Sequence, residues 1–308
     1  MTGQPKRRRD KVDGLLLLNK PAGMTSNRAL QQVKRLLNAK KAGHTGSLDP
    51  AATGMLPLCF GEATKVCAYL LDADKTYRVT AKLGVATDTA DGDGKEIATA
   101  AVPELTADEW DSILQGFMGD SEQVPPMYSA LKKDGKRLYE LARKGEIVAR
   151  EPRAIRIDRI ELLEAAATRL VFRVSCSKGT YIRSLVEDIA AKAGTVAYTA
   201  GLHRETVGDF EAAGMLDMNA VEALAAEGRL QEKLLSPDVA LSAFPAVEIG
   251  AAEATKFQGG QAVQAAAEAT SGLARVYGGN EEFLGVGELS GDGWLAPRRV
   301  FQMAEIAL

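Results

Sequence analysis

The sequence predicts an α+β protein in which helices and strands alternate over residues 13–235, followed by a small β-rich domain over residues 236–308. Apolar residues recur with helical spacing in some segments and with strand spacing in others, so both element types are present. The composition changes near Leu235, after which short strand candidates are separated by turn glycines, as in small β-rich domains. At 308 residues the chain is long enough for two domains with a substantial core.

Each predicted element follows from its local sequence. The apolar run Leu15–Leu18 indicates a buried strand over Gly14–Lys20, which Pro21 closes. Thr25 or Ser26 can cap a helix over about 27–38 whose apolar positions share one face. The other predicted elements are a helix over Glu62–Leu71, a strand over Tyr77–Leu83, a helix from a Thr106 cap to Phe117, strands over Arg153–Leu163 and Ala167–Ser175, and a helix over Ile182–Lys192.

Composition excludes several classes of protein. No apolar run approaches the ~18 residues that a membrane-spanning helix needs. The three cysteines, Cys59, Cys67 and Cys176, have no metal-ligand spacing and lie among apolar residues, which is typical of reduced thiols. Only two histidines are present, which argues against a structural zinc site. We therefore expect a cytoplasmic protein without membrane association and without metal.

The charge distribution points to a nucleic-acid partner although the net charge is −3. Residues 1–12 hold five basic groups and one acid, and we predict that they form a basic, flexible tail. Residues 26–47 hold five basic groups and no acid, and residues 132–159 hold ten against five. Local fields, more than the total charge, steer a polyanion, so RNA or DNA is the better partner, although each run is also compatible with a solvated face.

The segment Gly43–Gly54 is a shaped loop built around one carboxylate. It holds three glycines and one proline, which interrupt both helices and strands, and its single acid is Asp49. An ordinary turn in which Asp49 accepts backbone hydrogen bonds is one interpretation. A phosphate-binding loop or dinucleotide fingerprint is excluded by the spacing, and a triad with Ser47 and His44 is too crowded. What remains is a lone carboxylate acting as nucleophile or base, which needs a nearby cation.

A candidate cation lies at a predicted strand-to-helix junction. Ser177–Arg183 follows a strand, and Gly179 permits a tight turn there. Tyr181 and Arg183 are two residues apart, so an extended segment would direct both side chains the same way. With Tyr77 they could form a pocket for a planar base, in which rings stack and a guanidinium pairs with Asp49. Taken singly, each tyrosine is better explained as an ordinary core or surface residue, and Arg183 as a surface ion pair.

These stretches, in this order, resemble the TruB family of bacterial tRNA pseudouridine synthases over nearly the whole chain. The sequence departs from the family's pattern at His203 and Glu205. The matching stretches are Gly14–Ser26 with Lys20-Pro21, Gly43–Gly54, Asp74–Tyr77 with Leu83-Gly84, Thr87–Thr89 and Asp91, Gln123–Lys132 with Gly135, Arg137 and Tyr139, Cys176–Arg183, Gly201-Leu202, Phe283–Glu288 and Ala296–Val300.

The resemblance implies a catalytic domain over residues 13–235 with a mixed, mostly antiparallel sheet and flanking helices. It implies an inserted RNA-gripping thumb at about 121–152 and a PUA-like RNA-binding domain over 236–308. The implied reaction isomerises uridine 55 in the T-loop of tRNA: the glycosidic bond breaks, the base rotates, and C1′ joins C5. The implied partner is the T-stem-loop of tRNA, bound by a monomer, with no cofactor and no metal.

The resemblance also implies roles for individual residues around the reacting base. Asp49 is the nucleophile, and Arg183 pairs with it and lowers its pKa against the rise caused by burial. Tyr77 stacks on the base and can accept a proton, Tyr181 supports the pocket, and Leu202 closes it.

Further residues are implied to bind RNA outside the reacting centre. His44 fills the space that the flipped base leaves, the alternative being a hydrogen bond that stabilises the loop. Lys20 and three thumb cations hold phosphates. The thumb cations are Lys132, Lys133 and Arg137.

Two other functions stay open at this point. A tRNA-binding folding chaperone would use the same basic runs and the same C-terminal domain, but it does not explain a carboxylate in so constrained a loop. A guide-RNA-dependent pseudouridine synthase is the second, and the inserted segment at 121–152 favours a stand-alone enzyme, which must grip tRNA itself.

Overall fold

A computed structural model describes residues 9–265 and 271–303 of the chain. Most of the predicted tail, residues 1–8, lies outside the described residues. The last part of that tail is packed: the Asp10 amide donates to the Asn38 carbonyl at 2.9 Å, and the Val12 side chain is 4 % exposed. Apolar packing of Val12 therefore replaces the expected mobility at this point. The domain boundaries stay a prediction.

The described residues contain strands and helices in alternation. The strands are β1 Gly14–Lys20, β2 Ala42–His44, β3 Thr53–Phe60, β4 Lys75–Leu83, β5 Val85–Thr87, β6 Glu96–Thr99, β7 Gly119–Gln123, β8 Lys132–Lys133, β9 Lys136–Arg137, β10 Arg153–Ala166, β11 Arg169–Cys176, β12 Ala197–Val207, β13 Ala246–Glu248, β14 Val263–Gln264, β15 Gly272–Tyr277, β16 Phe283–Leu289 and β17 Trp294–Val300. The α-helices are α1 Ser26–Leu36, α2 Cys67–Asp72, α3 Ala107–Gln115, α4 Leu138–Ala142, α5 Ile182–Lys192, α6 Met218–Ala226 and α7 Ala251–Gln258, and short 3₁₀ helices span Gly61–Val66, Ala212–Gly214, Leu230–Lys233, Pro237–Leu241 and Gly279–Glu281.

The predicted elements are present, with differences at their ends. The bounds of β1 and α5 are as predicted. Thr25 caps α1, because its hydroxyl accepts from the Arg28 amide at 3.1 Å. The helix predicted over Glu62–Leu71 is instead a 3₁₀ turn followed by the short helix α2. The strands β3 and β12 were not predicted, since glycine, proline and charged residues interrupt their apolar patterns.

The larger sheet has eight strands in the order β1-β3-β12-β4-β11-β10-β7, and β2 also pairs with β3. All of these pairings are antiparallel except the short parallel contact between β3 and β12. The smaller sheet has the order β13-β15-β16-β17-β14. The predicted α+β class, with a mixed and mostly antiparallel sheet and a β-rich C-terminal part, is confirmed.

Among the described residues, four apolar clusters hold these layers together. The largest packs α3 and α5 on the main sheet around Phe172, and a second packs α1 and α6 beside β1 and β3. The C-terminal sheet has its own cluster around Phe257. The fourth cluster contains Leu15 and Phe283, so it joins the first strand of the main sheet to the C-terminal sheet. Each such large apolar side chain stabilises the fold by about 1.5–3 kcal/mol on burial.

Gly54 is the position where two strands of the main sheet cross closely. Its φ is +100°, and a Cβ there would lie 2.3 Å from the Arg204 carbonyl oxygen. Only glycine satisfies both conditions, and β3 therefore runs directly against β12. The loop that precedes β3 thereby lies beside β4, β12 and the start of α5, which line one cavity with it. Among the helices of residues 9–265 and 271–303, none is long and apolar enough to cross a bilayer.

Candidate active site

The loop between β2 and β3, named here the catalytic loop, carries Asp49. Ser26, the first residue of α1, holds this loop through its hydroxyl, which accepts from the Leu48 amide at 2.8 Å and lies 3.1 Å from the Leu48 carbonyl oxygen. The Ala52 amide donates to the Asp49 carbonyl at 3.1 Å and closes a turn around Pro50. The backbone on each side of the Asp49 carboxylate is therefore fixed by hydrogen bonds.

Five of the residues predicted from the sequence meet at one cavity. The cavity has a volume of about 120 Å³ and an opening to solvent. It contains the predicted nucleophile, two aromatic rings, a guanidinium and an apolar side chain, which is a set suited to a planar, polar ring. Its lining is Ser47, Leu48, Asp49, Tyr77, Thr180, Tyr181, Ile182, Arg183 and Leu202.

The predicted pairing of Asp49 with Arg183 is present. The Arg183 Nε lies 2.9 Å from Asp49 Oδ2, and the Arg183 side chain is 7 % exposed. Its two other nitrogens donate to the backbone, to the Thr89 carbonyl at 2.9 Å and to the Tyr128 carbonyl at 2.7 Å. Each of the three guanidinium nitrogens therefore has a partner, and Nε is the one directed to the Asp49 carboxylate.

The pKa of Asp49 is raised overall. Burial raises this pKa, and Arg183 lowers it against that rise, as predicted, without outweighing burial. The Asp91 carboxylate, whose Oδ2 lies 3.7 Å from an Arg183 nitrogen, raises the pKa of Asp49 further. The Asp49 side chain keeps 42 % of its surface exposed, and this surface faces the cavity. The sequence showed the pairing, but it could not weigh burial against charge.

Arg204 is a site residue that sequence reasoning missed. It lies opposite Tyr77 in the β4–β12 pairing and is 1 % exposed. Its Nε donates to the Met55 carbonyl at 2.6 Å and its Nη2 to the Gly46 carbonyl at 2.9 Å, so one side chain holds both sides of the catalytic loop. The available signal was its position two residues after Leu202, which places both on one face of a strand.

Tyr77 and Tyr181 both line the cavity. Burial raises the pKa of each phenol, and Arg204 opposes the effect at Tyr77. Tyr181 precedes α5 in an extended conformation, and its amide donates to Gln123 Oε1 at 2.7 Å. Gln123 Nε2 donates back to the Tyr181 carbonyl at 3.1 Å. This reciprocal contact ties α5 to the edge strand β7, and the sequence carried no signal for it.

The predicted phosphate contact of Lys20 is not compatible with its burial. Lys20 is 0 % exposed, and its ammonium donates to the Met24 carbonyl at 2.7 Å and the Pro21 carbonyl at 2.8 Å. A third contact, at 3.2 Å, reaches the Pro50 carbonyl beside Asp49. Burial lowers the pKa of Lys20 to about 8, and Asp49 opposes the shift. Lys20 therefore supports the catalytic loop from inside the protein.

His44 ends β2 at a half-buried position and does not line the cavity. Burial lowers its pKa, and Arg204 adds to this effect, so the neutral imidazole is favoured. Its Nδ1 is buried and makes no hydrogen bond within the described residues. The alternative of a loop-stabilising hydrogen bond has no support from this atom.

The three thumb cations lie on one exposed hairpin formed by β8 and β9. Lys132 pairs with Arg137 and Lys133 with Lys136, a fourth cation that the sequence-based set omitted. Arg137 donates to the Tyr139 hydroxyl at 3.1 Å. The first residues of the predicted thumb segment, up to Gln123, belong to β7, which pairs with β10 in the main sheet. Within residues 9–265 and 271–303, no group of three or more His, Cys, Asp or Glu side chains is placed to hold a metal ion.

Two family models match the chain. Residues 34–182 match the TruB family pseudouridylate synthase (N terminal domain), and residues 245–301 match pseudouridine synthase II TruB, C-terminal. A tRNA pseudouridine synthase B of Stutzerimonas stutzeri (strain A1501) is 48 % identical over 302 residues, which are 97 % of this chain and 99 % of the relative. The chain belongs to the TruB family. It is a pseudouridine synthase, and the predicted family is confirmed.

Other members of the TruB family match over a similar length. The tRNA pseudouridine synthase B of Dechloromonas aromatica (strain RCB) is 48 % identical over 302 residues, which are 98 % of this chain and 100 % of the relative. Among solved structures, a Cbf5-Nop10-Gar1 complex matches with a TM-score of 0.73 and 24 % identity, over 94 % of this chain and 85 % of that one. The similarity to this solved structure shows that the two chains share a fold.

Proposed function

We propose that this TruB-family enzyme isomerises uridine to pseudouridine at position 55 in the T-loop of tRNA. The observation that carries the proposal is the Asp49 carboxylate, paired with Arg183 at 2.9 Å in a cavity that also holds Tyr77 and Tyr181. Relatives that are 48 % identical over almost the whole chain carry the name tRNA pseudouridine synthase B, which supports tRNA as the substrate.

The chemistry needs only groups that the chain supplies. The N1–C1′ bond breaks, C1′ joins C5 of the same uracil, C5 loses its proton, and N1 ends protonated. Nothing is oxidised or hydrolysed, so the reaction balances without a cofactor. Asp49 serves as the nucleophile or charge stabiliser at C1′ or C6, and the raised pKa makes its carboxylate more basic than a solvated one. Arg183 stabilises the ionised form of Asp49 and orients its carboxylate.

The remaining cavity residues hold the uracil while it is detached. Tyr77 stacks on the base and can accept a proton, and Tyr181 and Leu202 complete the walls. Stacking on an aromatic side chain contributes about 1–3 kcal/mol per base, which offsets the few kcal/mol that flipping a base costs. His44, which ends β2 directly before the catalytic loop, fills with its neutral ring the space that the flipped base leaves in the RNA stack.

The thumb cations contact phosphates of the T-stem-loop and fix its position without reading sequence. The hairpin pairs Lys132 with Arg137 and Lys133 with Lys136, and all four residues are exposed, which supports this role. Specificity for position 55 then arises from the shape of the T-loop. The cytoplasmic location, the monomeric state and the PUA-like role of residues 236–308 stay predictions.

The test is to incubate the purified chain with an unmodified tRNA transcript, without other RNA, and to map pseudouridine at single-nucleotide resolution. We expect pseudouridine at position 55 alone. Pseudouridine elsewhere would contradict the proposed position. A transcript that is bound and refolded but unmodified would favour the chaperone, and modification that requires an added guide RNA would favour a guide-dependent enzyme.

A further inference from the structure

Two thiols meet beside the catalytic loop, at a place that the proposed reaction does not use. Cys59 lies in β3, is 0 % exposed, and pairs directly with Gly43 of β2. Cys67 begins α2 and is half-buried. A Cβ built on Gly43 would lie 3.4 Å from the Cys67 sulfur. Directly opposed residues of an antiparallel pair share a face, so the Cys67 sulfur lies over the face to which Cys59 points.

The fold brings the two thiols together through a sharp reversal. Gly61 turns the chain with a φ of +54°, and a Cβ there would lie 2.0 Å from an Asp13 side-chain oxygen. The following 3₁₀ helix returns the chain across the strand that it has just left, and Cys67 arrives above Cys59. The two thiols are close enough that each shifts the pKa of the other. A Cβ on Gly43 would be in van der Waals contact with the Cys67 sulfur.

We propose that Cys59 and Cys67 form a peroxide-reactive dithiol, with Cys67 as the attacking thiol and Cys59 as the resolving thiol. The Cys67 thiolate attacks one oxygen of hydrogen peroxide, the O–O bond breaks, and water leaves, so that Cys67 becomes a sulfenic acid. The Cys59 sulfur then attacks the Cys67 sulfur and displaces a second water. Two thiols lose two protons and two electrons, and one peroxide is reduced to two waters.

The surroundings of the two sulfurs assign these roles. Cys67 is partly exposed to solvent, and its pKa is lowered by the neighbouring Cys59 thiol and by the charge of Lys41. The pKa of Cys59 is raised by the neighbouring Cys67 thiol and by burial, which suits a thiol that reacts second. The disulfide would tie β3 to the first turn of α2 over Gly43, one residue before His44.

Cys176 provides an internal control. It is 1 % exposed, its sulfur lies 3.8 Å from the Lys75 carbonyl oxygen, and burial raises its pKa to about 11. A buried thiol of this kind is inert to peroxide. Any oxidation that ignored local structure would modify Cys176 together with the other two.

The experiment treats the folded full-length protein with hydrogen peroxide, blocks free thiols under denaturing conditions, and maps the peptides by mass spectrometry. We expect a mass loss of about 2 Da, one cross-linked peptide pair containing Cys59 and Cys67, and full recovery of both thiols on adding dithiothreitol. Cys176 stays fully alkylated. In the Cys59→Ala variant, Cys67 is trapped as a sulfenic acid by a dimedone probe, and the Cys67→Ser variant gives no cross-link and no trapped adduct.

Three results would overturn the proposal. One is that Cys59 and Cys67 stay alkylated at peroxide concentrations that oxidise a free thiol in the same solution. The second is that Cys67 is oxidised directly to a sulfinic acid with no cross-linked peptide. The third is that Cys176 is oxidised as fast as Cys67. The wild-type mapping alone decides between these outcomes, so a variant that fails to fold does not weaken the test.

Discussion

Replacing Arg183 with lysine removes the geometry of the guanidinium and keeps its charge. The arginine uses one nitrogen for Asp49, at 2.9 Å, and two for the Thr89 and Tyr128 carbonyls, at 2.9 and 2.7 Å. A lysine ammonium is a single point of charge and cannot span these acceptors. The Arg183→Lys enzyme therefore either loses its contact with Asp49 or leaves both carbonyls without a donor.

The loss can be estimated from these contacts. A hydrogen bond to a charged group contributes about 1.5–3 kcal/mol, and each 1.4 kcal/mol is a factor of about ten in rate. We expect Arg183→Lys to slow isomerisation by about 10- to 100-fold. A carbonyl left buried without a donor costs about 1–3 kcal/mol, so the free energy of unfolding should fall as well.

The rate is measured in single-turnover reactions with enzyme in excess, as tritium released from tRNA labelled at uracil C5, and unfolding is followed by denaturant titration. Arg173→Lys is the matched control, because Arg173 also pairs with carboxylates, Glu205 at 2.8 Å and Glu161 at 3.3 Å, but is 38 % exposed. Exposed pairs contribute about 0–1 kcal/mol, so this variant should keep its rate within about twofold. A folded Arg183→Lys enzyme with the wild-type rate would refute the reasoning.

Three further variants probe the loop, the carboxylate and the thumb. Gly54→Ala should prevent stable folding, because the added Cβ would lie 2.3 Å from the Arg204 carbonyl oxygen. Gly179→Ala is the control: its φ is +83° but the added Cβ meets open space, so it should lower the free energy of unfolding by only about 1–2 kcal/mol. Thermal melting compares the two variants with the wild type. Asp91→Asn should lower the pKa of Asp49, since Asp91 raises it. The reaction needs ionised Asp49, so the rate falls as the pH falls through the pKa of Asp49. In the Asp91→Asn enzyme the acidic limb of the pH–rate profile should therefore move to lower pH. An unchanged acidic limb would show that Asp91 does not influence Asp49. Changing the three thumb cations to alanine should weaken tRNA binding and reduce the slope of log affinity against log salt by about 2–3; an unchanged slope would exclude the thumb contact.

The groups that carry the chemistry of the site were more predictable from the sequence than the residues that hold the catalytic loop in place. A lone carboxylate in a rigid loop needs a cation, and the predicted strand-to-helix junction offered Arg183, which the structure places at 2.9 Å from Asp49. The junction works because α5 begins at Ile182, beside the catalytic loop. Local signals of this kind depend on turn and cap chemistry, which a sequence displays directly.

The residues that hold the catalytic loop in place depend on long-range packing, which the sequence does not display. Lys20 resembles a surface cation next to a proline, but the fold encloses it among the carbonyl oxygens of Pro21, Met24 and, in the catalytic loop, Pro50. Arg204 was missed because β12 has no apolar alternation, and its partners Gly46 and Met55 lie about 150 residues earlier in the chain. His203 and Glu205, where the chain departs from the family pattern, contact side chains of other strands: His203 Nδ1 lies 2.8 Å from the Thr53 hydroxyl oxygen, and Glu205 pairs with Arg173.

The most direct test of the central claim compares wild type with Asp49→Asn in two measurements on one tRNA: single-turnover pseudouridine formation and equilibrium binding. The asparagine keeps the shape of the side chain and removes its negative charge. We predict that pseudouridine formation falls by at least about a thousandfold while tRNA affinity stays within a few-fold of wild type. Turnover above about one part in a thousand of the wild-type rate, with binding intact, would show that the Asp49 carboxylate is not the group that reacts.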